Sequence, residues 1–136
     1  MRGDGAHLDG APLTGPGPGE EIEVLVMEAT RTDLLAEKVA AMIGLAYRTR
    51  VFGSLALALC QLAAGRVDAV CSLKPARSVD IAAAQLLVRE RGLAVDLPDD
   101  RPFERAPLDL EGRSRIVAAA TPERCADLWA RLSGGA

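Results

Sequence analysis

Apolar residues recur with two different periods along this chain, which predicts strands that alternate with helices. Ile22, Val24 and Val26 occupy every second position, as in a strand with one buried face. Residues 31–46 carry apolar side chains at helical spacing and predict a helix. A short strand is expected over residues 47–52.

The same alternation continues to the end of the chain, where Ser54, Ser78 and Thr121 are predicted to cap helices through their hydroxyl groups. Strands that alternate with helices indicate an α/β fold with a mostly parallel sheet flanked by helices on both faces. The predicted helices cover residues 55–64, 79–91 and the segment after Thr121, the strands cover residues 67–73, 93–95 and 116–119, and residues 98–107 form a polar loop.

The N-terminal residues 5–13 predict a β-hairpin. The pair Asp9-Gly10 lies between two short apolar stretches, and this dipeptide favours a two-residue hairpin turn. Residues 14–19 follow as a loop rich in glycine and proline. Because an isolated hairpin is only marginally stable, we expect this one to pair with neighbouring strands.

The composition is that of one globular domain. With 136 residues and 49% hydrophobic content, the chain can bury a core. Its net charge is −3 and it has no basic run, which argues against nucleic-acid partners and a membrane surface. An apolar signal segment and a membrane span are both missing from the sequence, so we expect a cytoplasmic protein.

The cysteines and the single histidine predict structural roles. Cys60, Cys71 and Cys125 are too few and too far apart for a zinc knuckle or a disulfide framework. We interpret them as small buried apolar side chains. His7 lies in the predicted hairpin, far in sequence from any acid or cysteine that would form a catalytic dyad with it.

The strongest candidates for metal or phosphate binding lie at two predicted helix starts. Asp80 lies near the start of one helix, where a carboxylate can hold a hard cation, and Gly53 and Ser54 precede another helix whose amides can receive phosphate oxygens. The helix dipole alone also explains an acid at the position of Asp80. One carboxylate is too few for a two-metal hydrolytic centre.

Three basic residues flank the turns that lead into these two helices. Arg50, Lys74 and Arg77 are therefore candidates for positive charge near the same edge of the sheet, although most such residues are solvated surface. Arg50 is the strongest candidate of the three for contact with a substrate.

Four sequence blocks, taken in order, resemble a known family. Gly3 through Gly10 looks like its glycine-rich hairpin, Arg50 through Ser54 like its Arg-x-x-Gly-Ser turn, Gly65 through Ala69 like its Gly-x-x-Asp-Ala turn, and Val79 through Ala83 like its metal-binding Asp-Ile-Ala motif. Together they resemble the C-terminal half of the inositol monophosphatase family, especially its archaeal-like inositol monophosphatase/fructose bisphosphatase branch. The resemblance covers nearly all of the chain.

The resemblance implies a fold, a reaction and a set of site residues. The fold is the C-terminal part of a layered αβαβα sandwich, with residues 1–30 at the edge of the N-terminal sheet and residues 31–136 as the C-terminal α/β domain. The reaction is magnesium-dependent hydrolysis of small phosphomonoesters such as inositol phosphates or fructose 1,6-bisphosphate. Asp80 would be a Mg²⁺ ligand, and Arg50, Gly53 and Ser54 would bind substrate.

The sequence departs from the family where the catalytic residues are concerned. The upstream glutamate and the Asp-Pro-x-Asp-Gly-Thr block are absent, so no catalytic residue is assigned and the chain is expected to be inactive alone. The resemblance implies a partner, which is either a second copy of the chain in a homodimer or a protein that supplies the N-terminal half. The alternative hypothesis is a binding or interaction module that keeps the fold without a metal centre.

Overall fold

In the computed structural model of the protein, which describes residues 2–15, 17, 19, 21–28, 31–99 and 112–134, five strands form a central sheet. The strands are β1 (His7–Leu8), β2 (Ala11–Pro12), β3 (Ile22–Glu28), β4 (Ala46–Arg50), β5 (Ala69–Ser72), β6 (Ala76–Arg77), β7 (Ala94–Asp96), β8 (Arg113–Ser114) and β9 (Val117–Ala119). The helices are α1 (Thr32–Val39), α2 (Leu55–Ala63), α3 (Ser78–Glu90) and α4 (Pro122–Ser133), and a short 3₁₀ helix, Ala40–Met42, follows α1.

The central sheet has the order β4-β3-β5-β9-β7 and is mixed. Strand β3 pairs in parallel with β4 and β5, and Val26 lies opposite both Arg50 and Val70. Strand β9 runs antiparallel to β5 and to β7, so the other four strands share one direction. A mostly parallel sheet flanked by helices is thereby confirmed, with β9 as the exception.

The alternation along β3 divides its side chains between two cores. Val26 belongs to the core between the sheet and helices α2 and α3, whereas Leu25 and Met27 belong to the core that α4 covers on the opposite face. All three side chains are fully buried. Both faces of the sheet are therefore covered, which is why the strands are apolar on both sides.

Several element boundaries differ from those that the sequence predicted. The helix expected over residues 31–46 ends at Val39, and the chain then passes through the 3₁₀ helix and Gly44, which has φ +80°. The strand expected over residues 47–52 covers Ala46–Arg50. It stops there because the N–H of Phe52 donates to a carboxylate oxygen of Glu28 instead of to a neighbouring strand.

The position of β3 in the sheet bears on the domain boundary that was predicted between residues 30 and 31. Residues 1–30 were predicted to lie at the edge of a separate N-terminal sheet, but β3 lies between β4 and β5 inside the central sheet. The hairpin β1–β2 forms a two-stranded sheet of its own. Its assignment to a further sheet, and the domain formed by residues 31–136, stay predictions.

The hairpin has the predicted turn. Asp9 and Gly10 both have positive φ, 51° and 80°, as a two-residue hairpin turn of this kind requires. Arg91, just after α3, donates to the carbonyl oxygens of Leu13 and Gly15 and so holds the segment that follows β2. The hairpin thus lies against the end of α3.

We expect the attachment of the hairpin to weaken in acid. The Glu90 carboxylate accepts hydrogen bonds from the N–H groups of Gly3 (2.7 Å) and Gly5 (2.9 Å), and these bonds lower the pKa of Glu90 from its ordinary value of 4.5. Because the folded pKa is depressed, the stabilisation is present above pH 4.5 and is lost as the pH falls through the lower folded value. Amide chemical shifts of Gly3 and Gly5, measured against pH by NMR, should follow this titration. In Glu90→Gln the titration should be absent; if it persists there, another group controls it.

The caps of two helices follow the prediction, and the third does not. Ser54 Oγ accepts from the N–H of Leu57 and Thr121 Oγ1 accepts from that of Arg124, each at 3.2 Å. The prediction that Ser78 caps a helix was wrong. Arg77 is the residue that precedes α3, and Ser78 is already helical, with its N–H donating to the carbonyl oxygen of Gly112 (3.0 Å). Pairing of β6 with β8 thus fixes where α3 begins.

Two of the three cysteines are buried as predicted. Cys71 and Cys125 are buried, Cys60 is half-buried, and all three are free thiols. Burial raises the pKa of both buried thiols to about 12, so they stay protonated and unreactive at neutral pH. Within the part of the chain that the structure describes, no helix is long and apolar enough to cross a membrane.

Candidate functional site

A pocket of about 420 Å³ lies at the carboxyl ends of β3, β4 and β5. This is the edge of an α/β sheet where ligands usually bind, because the loops that leave parallel strands meet there. The described residues that line it are Glu28, Gly53, Ser54, Leu55, Ala56, Ser72, Lys74, Pro75, Ala76, Arg77, Asp80 and Arg113.

The turn before α2 forms one side of the pocket. Gly53 has φ +76°, a conformation that side-chain-bearing residues rarely adopt, and this turns the chain from β4 into the helix. Ser54 then caps the helix. Leu55 and Ala56 also line the pocket, and their N–H groups belong to the first helical turn, where amides have no acceptor within the helix. This side therefore favours an anionic ligand.

Glu28 holds this turn in place from the end of β3. Its two carboxylate oxygens accept from the N–H groups of Phe52 (2.8 Å) and Gly53 (3.1 Å). Glu28 is only 8% exposed, and such charge-assisted bonds compensate a buried carboxylate. The negative charge of Glu28 is thus directed at backbone amides of the turn.

Asp80 and Arg77 form a bidentate ion pair on another side of the pocket. Arg77 Nε donates to Asp80 Oδ2 at 2.9 Å, and a terminal nitrogen, Nη2, donates to Oδ1 at 3.1 Å. The hydrogen bonds from Arg77 lower the pKa of Asp80, and the charge of Arg113 lowers it further. Asp80 is therefore ionised at neutral pH, with both of its oxygens directed at one guanidinium group.

Positive charge exceeds negative charge around the pocket. Among its described lining residues, Lys74, Arg77 and Arg113 are cationic, whereas Glu28 and Asp80 are carboxylates. The surplus is one formal positive charge, added to the partial positive charge of the α2 N-terminus. The pocket as a whole is suited to an anion.

The structure brings together most of the residues that the sequence singled out. Gly53, Ser54 and Asp80 line one pocket, and Lys74 and Arg77 line it too. Arg50, the basic residue expected to contact substrate most directly, is not among the described lining residues. Its guanidinium donates to the carbonyl oxygen of Thr49 (3.0 Å), and its side chain is exposed on edge strand β4.

Sequence reasoning missed Glu28 and Arg113. The signal for Glu28 is a charged residue that directly follows the apolar run Val24–Met27 at the end of β3, at the sheet edge where the candidate turns lie. Arg113 had no comparable signal, because its place depends on the pairing of β8 with β6.

The residues around this pocket do not by themselves fit a magnesium ion. Among the described residues, no group of three or more histidine, cysteine, aspartate or glutamate side chains is arranged to hold a metal. The two lining carboxylates are engaged, Asp80 with Arg77 and Glu28 with backbone amides. A hard cation requires oxygen ligands that are not already committed to cations or amides.

Two known proteins are similar to this chain in sequence. The chain is 34% identical over 131 residues to inositol monophosphatase 2 of Homo sapiens, an alignment that covers 90% of this chain and 43% of the human protein. It is 33% identical over 79 residues to fructose-1,6-bisphosphatase/inositol-1-monophosphatase of Methanocaldococcus jannaschii, which covers 56% of this chain and 30% of that protein. The chain thus spans less than half the length of these relatives.

A solved structure shows the same fold. A hypothetical protein of Pyrococcus horikoshii, described as having similarities to inositol-1 monophosphatase, superposes with a TM-score of 0.76 at 27% identity, over 94% of this chain and 49% of that one. The sequence profile of the inositol monophosphatase family matches residues 1–133. Because this profile covers nearly the whole chain and the fold agrees with it, the chain belongs to the inositol monophosphatase family.

Proposed function

We propose that this chain is a cytoplasmic protein that binds small phosphomonoesters in the pocket between α2 and α3. One observation carries the proposal: the Gly53-Ser54 turn, the start of α3 and three cationic side chains meet in a single pocket at the carboxyl edge of the sheet. A phosphate group has the charge and the acceptor oxygens that these donors require. The names of the human and archaeal relatives, an inositol monophosphatase and a fructose-1,6-bisphosphatase, support phosphomonoesters of polyols and sugars as the substrate class.

Hydrolysis is the reaction that family membership supports, with Mg²⁺ as the cofactor. Asp80 is the ligand that this chain would contribute, and Gly53 and Ser54 would hold the substrate. Because the described residues do not complete a metal site, we propose that activity requires further carboxylates. We propose that they belong to the part of the relatives that this chain does not cover, the N-terminal half.

The second candidate function is a non-catalytic phosphate-binding module. The Arg77–Asp80 ion pair favours it, because this pair satisfies Asp80 without any metal. Both candidates use the same pocket, and they differ in whether turnover can be obtained.

A complementation assay separates the two functions. The isolated chain is expected to show no magnesium-dependent release of phosphate from inositol 1-phosphate. Addition of the N-terminal half of the human relative, separately or as a fusion, should produce magnesium-dependent turnover, and Asp80→Asn should then lower it at least about 100-fold through loss of a metal ligand.

Asp33→Asn is the matched control for the complementation assay. Asp33 accepts hydrogen bonds from Arg31 in a similar surface ion pair outside the pocket, so its loss should leave turnover unchanged. Full turnover in Asp80→Asn would remove Asp80 from the metal ligands. If complementation produces no turnover while phosphate still binds, the non-catalytic function is supported.

A further inference from the structure

A short ladder of two strands, β6 and β8, forms one wall of the pocket and determines where α3 begins. The two strands pair at only two positions, outside the central sheet. Arg77 and Arg113 of this ladder line the pocket, and the N–H of Ser78 donates to the carbonyl oxygen of Gly112 (3.0 Å). Because so short a pair of strands is only marginally stable by itself, contacts outside the ladder must hold it in place.

Arg115, the first residue after β8, makes contacts of this kind. Its backbone N–H (2.9 Å), Nε (2.8 Å) and Nη2 (2.6 Å) all donate to the carboxylate of Asp99, which follows shortly after β7. The guanidinium carbon of Arg115 also lies 4.4 Å from the centre of the Trp129 ring in α4. Neither Asp99 nor Trp129 is among the described residues that line the pocket. One arginine thus joins β8 to the segment after β7 and to α4.

The contacts of Arg115 are better shielded from solvent than an ordinary surface ion pair. The Arg115 and Asp99 side chains are 34% and 27% exposed, whereas those of the Arg48–Glu23 pair are 60% and 64% exposed. An ion pair contributes more where solvent screens it less, and bidentate geometry and an aromatic ring add to it. We therefore expect the contacts of Arg115 to contribute to the position of β8.

The chain that follows Arg115 is anchored independently of it. Ile116 is fully buried. Its N–H donates to Ser72 Oγ (2.8 Å), and its carbonyl oxygen accepts from the N–H of Ser72 (2.9 Å). Loss of the Arg115 contacts should therefore leave the central sheet intact and loosen the segment before Ile116, which contains β8.

We propose that Arg115 is a positioning residue, which holds β8 against β6 and thereby sets the start of α3 and the place of Asp80 in the pocket. Arg115 is not among the described lining residues, so it acts through β8 and through the hydrogen bond between Gly112 and Ser78. The inference rests on the proposed function, because Asp80 is the metal ligand proposed there. It adds to the site a residue that lies outside the pocket.

Arg115→Ala tests the proposal in the chain without any ligand. Hydrogen exchange of the Ser78 amide, measured by NMR, should accelerate about tenfold or more, because its acceptor on Gly112 is no longer held in place. Exchange of the Val70 amide, in central strand β5, should change much less. Trp129 is the single tryptophan of the chain, so a shift of its fluorescence to longer wavelength reports that the guanidinium no longer covers the ring.

Two matched variants make the test specific. Arg115→Lys keeps the charge but loses the bidentate fork, so Ser78 exchange should lie between that of the parent chain and that of Arg115→Ala. If Arg115→Ala does not fold, the comparison of Ser78 with Val70 is made in Arg115→Lys. Arg48→Ala removes the exposed ion pair with Glu23 and should leave both Ser78 exchange and Trp129 emission unchanged.

A double-mutant cycle identifies Asp99 as the partner of Arg115. If the two residues act as a unit, Asp99→Ala combined with Arg115→Ala should accelerate Ser78 exchange no more than Arg115→Ala alone. Additive effects would mean that each residue acts through another partner, for example a charged residue outside the described part of the chain. That result would overturn the assignment of Asp99.

Two results would overturn the positioning role itself. The first is unchanged Ser78 exchange in a variant whose Trp129 emission shows that the contact is lost. The second is equal acceleration of exchange at Ser78 and Val70, because a purely structural role would lower the stability of the whole domain. None of these measurements involves turnover or phosphate, so a failure of the complementation assay and a failure of this inference are separate outcomes.

Discussion

Replacing Leu59 by alanine is expected to lower the free energy of unfolding by about 2–5 kcal/mol. Leu59 is fully buried in the core that α2 and α3 form with the sheet, where Val26, Val70 and Ile81 are also buried. The truncated side chain would leave a cavity that close-packed neighbours fill only in part. Because small domains are stable by only about 5–15 kcal/mol, this is a large share of the total. Urea unfolding followed by circular dichroism measures it.

Leu57→Ala is the matched control for this change. Leu57 lies on the same helix, two residues away, but is 46% exposed. The identical substitution should therefore cost less than about 1 kcal/mol, since little apolar surface is returned to water. If Leu57→Ala costs as much as Leu59→Ala, the outer face of α2 is covered in solution, for example by a second copy of the chain.

The sequence was sufficient for the parts of the fold that depend on local signals. Ser54 and Thr121 cap their helices because a hydroxyl before a helix can reach an orphan amide without any help from the rest of the molecule. Asp9 and Gly10 form the hairpin turn for an equally local reason, the ease with which they adopt positive φ. Such features are set within a few residues and can be read directly.

The sequence was not sufficient where distant segments meet. Ser78 has the residue type of a cap, but the pairing of Arg77 with Arg113 keeps Arg77 extended and makes it the residue before α3. The reversed direction of β9 likewise depends on its pairing with β5 and β7, and most of the loop predicted over residues 98–107 lies outside the described residues. Strand pairing over long separations leaves no periodic signal in the chain.

The candidate site shows the same division. The sequence could place Gly53, Ser54 and Asp80 at one sheet edge because helix starts can be predicted locally and because their blocks resemble the family motifs. The sequence did not reveal that Arg77 would bind both oxygens of Asp80. Nor did the sequence reveal that the Arg50 guanidinium would donate to the carbonyl oxygen of Thr49, because a position beside a turn does not determine where a long side chain lies. Contact of Arg50 with a substrate stays a prediction.

Glu28→Ala is expected to loosen the turn that forms the α2 side of the pocket. The change removes the acceptors of the Phe52 and Gly53 amides, and the lost charge-assisted bonds should cost about 1–3 kcal/mol of stability. Hydrogen exchange of these two amides, measured by NMR, should accelerate more than that of the Val70 amide in central strand β5. A loss confined to global stability would accelerate the slowest amides together.

Glu28→Gln distinguishes the hydrogen bonds of Glu28 from its charge. A glutamine side chain has a single acceptor oxygen, so it can satisfy one of the two amides and should retain part of the protection. It also removes a negative charge from the rim of the pocket. Protection at Phe52 or Gly53 should therefore be intermediate between the parent chain and Glu28→Ala. If Glu28→Gln and Glu28→Ala exchange equally fast, the charge of Glu28, rather than the number of its acceptors, holds the turn that places Ser54 and α2 at the site.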